Sequence, residues 1–117
     1  MGASSAEFKA YVMEQLADLP SISTARFFGG VSLHSGPTQF AMIMDGSLYF
    51  VVDDTSRPEY EAMGSQCFSY LTKKGRVDVR KYFEVPADLI EDQDRLMGLA
   101  KTALKAARSS AKKTSQA

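Results

Sequence analysis

The sequence has one cysteine, one histidine and no tryptophan. The lone Cys67 excludes an intramolecular disulfide and a cysteine-rich zinc site. It begins an apolar segment with no Cys-x-x-Cys context, so it reads as an inert thiol suited to a reducing cytoplasm. His34 has no partner at metal-ligand or acid–base spacing, and it reads as a surface turn residue. Long apolar runs are missing too. None approaches the ~18 residues of a membrane helix. The start Met1-Gly2-Ala3-Ser4-Ser5 lacks the basic and apolar segments of a secretory signal. A soluble cytoplasmic protein with no membrane partner is expected.

An excess of charge of either sign is absent, since 14 basic residues offset 14 acidic ones. The distribution is uneven. Residues 1–94 hold all 14 acids and eight bases, a net of −6, and residues 95–117 carry +6. A basic end on an acidic body has two readings: contact with nucleic acid or an acidic protein, or a solvated helix end whose cations suit the helix dipole.

What is present is enough apolar residue, 44% of 117, for one domain with a core. Phe8, Tyr11, Val12, Leu16 and Leu19 fall at helical spacing, so a first helix is expected over residues 5–19, capped by Ser4 or Ser5 and stopped by Pro20. A strand is expected over residues 23–28. Gly29-Gly30 then permits a bend or bulge, Val31 and Leu33 continue as a strand, and Ser35-Gly36-Pro37 turns the chain. Asp45-Gly46 between two apolar runs is a strong hairpin signal. Residues 48–52 are apolar on both alternating faces, as in a central strand.

Ser56-x-x-Glu59 fits a capping box for a short helix that ends at Gly64. Two more strands meet near Lys74-Gly75. In the second, Val77, Val79, Lys81, Phe83 and Val85 share one face, and Arg76, Asp78, Arg80, Tyr82 and Glu84 the other. Leu89 and Ile90 seed a helical turn, and a last helix runs from about Gln93 to Arg108. Residues 1–108 are expected to be one domain, and residues 109–117 a basic, disordered tail. The order α-β-β-β-β-α-β-β-α implies an α+β fold with a mainly antiparallel sheet and flanking helices.

Catalytic signatures are lacking. Gly29-Gly30 has neither the Lys-Ser/Thr nor the helix that follows in a phosphate loop. Asp53-Asp54 has no third carboxylate nearby, and helix capping explains the pair more simply. No catalytic, metal or cofactor-binding residue is assigned, and no enzyme activity is expected. The cations Lys73, Lys74, Arg76, Arg80 and Lys81 concentrate on one hairpin, with Tyr70 and Tyr82 interleaved. That pattern can hold phosphates and stack bases. The plainer reading is a solvated turn in which Arg80 pairs with Asp78 or Glu84. Lys101 and Lys105 would extend a nucleic-acid surface along the last helix. Five methionines beyond the initiator point to an adaptable core or interface.

Phe28-Gly29-Gly30-Val31-x-Leu33, Phe40-Ala41-x-Ile43, Asp45-Gly46-x-Leu48-Tyr49, Asp53-Asp54, Phe68-x-Tyr70 and Tyr82-x-x-x-Pro86 occur in that order. Together they resemble the TfoX N-terminal domain, the Sxy family of bacterial competence regulators, from Phe8 to about Ala107. The resemblance implies a compact α+β fold similar to that of secretion chaperones. It also implies a non-enzymatic role in transcriptional activation of DNA-uptake genes. Full-length regulators of this kind carry a second, helical domain and are linked to the cyclic-AMP receptor protein. The present chain reads as a stand-alone member without that domain. The expected partners are a protein, with the transcription machinery as one candidate, and a second copy of the chain. Direct nucleic-acid binding through residues 73–82 and the tail is the alternative.

Overall fold

A computed structural model describes residues 5–27 and 29–116, with side chains over residues 6–27 and 29–109. The chain folds as α1 (Ser5–Gln15), β1 (Ile22–Phe27), β2 (Gly30–Ser35), β3 (Thr38–Met44), β4 (Ser47–Val51), α2 (Arg57–Ala62), β5 (Cys67–Thr72), β6 (Gly75–Glu84), α3 (Ala87–Glu91) and α4 (Gln93–Gln116). This is the expected α+β order. The six strands form one sheet in the order β1-β2-β3-β4-β6-β5, and every pairing is antiparallel.

The hairpins follow from local sequence. Asp45 and Gly46 both take positive φ, 52° and 76°, between the paired residues Met44 and Ser47. That is the type I′ geometry whose twist matches the flanking strands. β4 lies inside the sheet, as its two apolar faces require. The bend at Gly29 closes the β1–β2 hairpin, with Phe27 paired to Gly30. Gly30 is needed for a different reason, since a Cβ there would collide with the Ile43 carbonyl oxygen and Met44 Sδ on β3. The expected end of β1 at Phe28 and the Ser4 cap lie outside the described residues, as does the Ser5 side chain.

Strand register sorts the side chains into two faces. Val31 and Leu33 on β2 pair with Ile43 and Ala41 on β3, and the same face continues through Leu48 and Phe50 to Phe83. α4 packs on β3 and β4, and α1 and α3 pack beside it. Leu96, Leu99, Ala100, Ala103, Leu104, Ala106 and Ala107 supply the buried stripe of α4. Val12, Leu16 and Leu19 anchor the α1 region, whereas Tyr11 points outward, against the helical pattern. α1 ends at Gln15, and turn hydrogen bonds carry the chain on to Leu19. The backbone of α4 continues to Gln116, past the end expected near Arg108. Most of the segment expected to be a disordered tail has its side chains outside the described set.

The capping box at Ser56 does not form. Ser56 is helical in φ and ψ and makes no side-chain cap bond. Asp53 caps instead: its Oδ1 accepts hydrogen bonds from the Thr55 and Ser56 amides and the Ser56 hydroxyl at 2.9–3.0 Å. These donors, the Ser56 amide foremost, hold the Asp53 carboxyl below the usual carboxylate range. Tyr60 of α2 packs on Phe83 with ring centroids 6.1 Å apart, and burial pushes its hydroxyl far above an ordinary phenol.

Candidate functional site

The face of the sheet opposite α4 carries an open apolar cleft of ≈ 690 Å³. Phe27 of β1 lines it, with Gln39, Met42 and Met44 of β3. Phe68 and Tyr70 come from β5, and Val79, Lys81 and Tyr82 from β6. β1 and β5 are opposite edges of the sheet. Both reach one cleft because the sheet coils, bringing its two ends over the central strands.

The coiling is built into β6. Its residues 82–84 pair with β4, and residues 75–79 pair with β5. Between them the register breaks: Cys67 pairs with Phe83, yet the next residue, Phe68, pairs with Val79. The distal β5–β6 hairpin is therefore an arm that extends past the β4 pairing. Its inner face carries Phe68, whose ring meets Tyr49 edge-on at 5.3 Å and Tyr70 at 6.2 Å. Strict alternation of faces along β6 fails at this break. Val79, Lys81 and Tyr82 all line the cleft, although Lys81 and Tyr82 were expected on opposite faces.

The polar groups of the cleft are few. Tyr82 is buried, and its hydroxyl accepts a hydrogen bond from Gln39 Nε2 at 3.1 Å. Burial raises the Tyr82 pKa, partly offset by the Gln39 bond, so the phenol keeps its proton at neutral pH. Lys81 Nζ stands 5.7 Å from the centroid of the Tyr82 ring. Tyr49 lies beside the cleft, and its pKa is raised by burial first, then by Glu84 and Asp45.

The residues singled out in the sequence do not form one surface. Lys73 and Lys74 sit exposed in the β5–β6 turn. Arg76 pairs with Asp78 at 2.8 Å, and Arg80 pairs with Glu61 of α2 at 3.2 Å, rather than with Asp78 or Glu84. Tyr82 is a buried cleft wall instead of an exposed stacking ring, while Tyr70 is 48% exposed. Lys101 and Lys105 are exposed on α4, which packs on the other face of the sheet. His34 is not in a turn: it is half-buried in β2, with Nε2 hydrogen-bonded to Ser32 Oγ at 2.9 Å. Asp54 pairs with Arg57 at 2.8 Å, in keeping with a helix-start role for the two aspartates.

Sequence reasoning does not single out Phe27, Gln39, Met42, Met44, Phe68 or Val79 as site residues. The available signal was the alternation of Met42 and Met44 with Ala41 and Ile43, which puts two flexible thioethers on the face away from α4. The arm shows apolar surface to solvent as well: Leu71 is 82% exposed, and Val77 is exposed beside Tyr70. Among the described residues no helix is long and apolar enough to cross a membrane, and no group of three or more metal-ligating side chains occurs.

Compared with known proteins, the sequence matches the family model of the TfoX N-terminal domain over residues 14–107. No curated protein matches it.

Proposed function

The chain belongs to the TfoX N-terminal domain family, and from that premise we propose that it is a non-enzymatic regulatory domain that works by binding a protein partner. Transcriptional control of DNA uptake is the process it serves, and the cytoplasm is where it acts. One observation carries the reading. The arm presents Leu71, Tyr70 and Val77 to solvent on a hairpin at the sheet edge. Exposed apolar side chains on an open edge are what a partner strand or surface would cover. A second copy of the chain is one such partner, and a component of the transcription machinery another.

The cations support this reading over direct nucleic-acid binding. Arg76 and Arg80 are already ion-paired, and Lys101 and Lys105 lie apart from the arm on α4. Lys73 and Lys74 alone make a short basic turn. Anisotropy titrations of labelled single- and double-stranded DNA and RNA, at two salt concentrations, test the choice. Weak binding that Arg80→Glu leaves unchanged is expected. Tight binding that falls steeply with salt and is lost in Arg80→Glu would establish the nucleic-acid alternative instead. In the native host, Leu71→Glu should lower transcription of DNA-uptake genes as far as deletion does. Unchanged transcription after deletion would remove the competence role.

A further inference from the structure

We propose that the cleft between the arm and the sheet binds a small monoanionic amphiphile: one carboxylate joined to an aromatic or medium-chain acyl body. Three observations on the cleft point to that chemistry. Its volume, ≈ 690 Å³, falls within the ~300–1,000 Å³ typical of small-molecule sites. Its walls are apolar and adaptable, with Met42, Met44, Phe68 and Tyr70 among the lining side chains. Thioethers and ring edges fit flat or flexible apolar bodies without a fixed shape. Among the described residues, Lys81 is its only charged lining group, and no carboxylate lines it.

The head group has a defined place. Lys81 is exposed at the cleft and sits over the Tyr82 ring. The Tyr82 hydroxyl accepts from Gln39 Nε2 and keeps its own proton to donate. An ammonium over the Tyr82 ring and a phenol O–H lining the same cleft suit one carboxylate, through charge-assisted hydrogen bonds. A polyphosphate would need several cations, and an organic cation would meet Lys81 with like charge. The partner surface shares Tyr70 with this cleft, but its most exposed member, Leu71, pairs with Arg76 on the arm's outer face and does not line the cleft.

The full chain, labelled at its methionine methyl groups, is titrated by NMR with 1-naphthoate, decanoate and the neutral 1-naphthalenemethanol. Met42 and Met44 should shift saturably with both acids, while Met13, Met63 and Met97 stay in place. Lys81→Gln should weaken the acids by about tenfold and leave the alcohol unchanged, and Lys81→Arg should restore most of the loss. Shifts spread over all the methionines, or none at millimolar ligand, would overturn the site. Equal binding of acid and alcohol, or acid binding indifferent to Lys81, would overturn the ligand class. Leu71→Glu, which tests the partner surface, should leave both acids bound as before, so the two readings fail separately.

Discussion

Gly30→Ala adds a single methyl group to this protein, and the structure sets its cost. The new Cβ would collide with two atoms of β3, the Ile43 carbonyl oxygen and Met44 Sδ. Met44 is the end of a flexible chain and can swing toward the cleft. The carbonyl belongs to the strand next to β2, just where Val31 pairs with Ile43, and it cannot move alone. β2 and β3 must separate locally. Overpacking of this kind costs roughly 1–3 kcal/mol, and a backbone clash belongs in the upper half of that range. For a domain of this size 1 kcal/mol is worth about 4 °C of Tm, so a fall of roughly 8–12 °C is expected. Thermal and urea unfolding followed by circular dichroism would measure it. Gly29→Ala is the control: φ is +82° and nothing lies within 4 Å of a Cβ there. It should cost only backbone strain, about 1–2 kcal/mol. Met44→Ala in a double-mutant cycle tells side-chain from backbone conflict. If Met44→Ala fully rescued Gly30→Ala, or if Gly30→Ala left Tm unchanged, the attribution to the Ile43 carbonyl would be wrong.

Val51→Asp places a carboxylate at a site 1% exposed and paired with Tyr82 in the middle of the sheet. It removes ~1.5–3 kcal/mol of apolar burial and adds an unpaired charge, against a total stability of about 5–15 kcal/mol. Loss of cooperative unfolding is expected, and a wild-type melting curve would refute the placement of β4. Asp53→Ala should cost ~0.5–2 kcal/mol, as for lost helix caps, while Asp53→Asn should retain part of the cap. Because folding lowers the Asp53 pKa, its contribution is complete above the unfolded value of ~4 and fades as pH falls through the folded one. The gap in urea midpoints between wild type and Asp53→Asn should thus hold from pH 7 down to about pH 4 and narrow below it, and a gap that stays constant on further acidification would count against the charge. Sedimentation equilibrium should find a homodimer that Leu71→Glu dissociates; a monomer at all micromolar concentrations would exclude self-association through the arm.

Much of this protein was settled by residue order alone. Asp45-Gly46 demands positive φ at consecutive positions, so the β3–β4 hairpin could be read directly. The two-sided apolar run of β4 placed it inside the sheet, and apolar spacing placed the start of the last helix at Gln93, although its backbone runs on past Arg108. These are local or periodic signals, and each repeats over several residues. The capping role of the Asp53-Asp54 pair was legible too. Which residue capped α2 was not, because Asp53 and Ser56 offer equivalent oxygens and only the path of the turn chose between them.

The candidate site belongs to tertiary structure. Lys81 and Tyr82 alternate in sequence, but the register break between Cys67 and Phe68 brings both to one cleft. Arg80 could have paired with neighbours on its own strand; the approach of α2 gave it Glu61 instead. Phe27 and Tyr70 come from opposite edges of the sheet and share a cleft only because the sheet coils. Periodicity reports which face a side chain takes within a regular strand. It cannot report where pairing slips, or how far a sheet twists over six strands. Those depend on the packing of the whole sheet against α4, and they decide what the cleft contains.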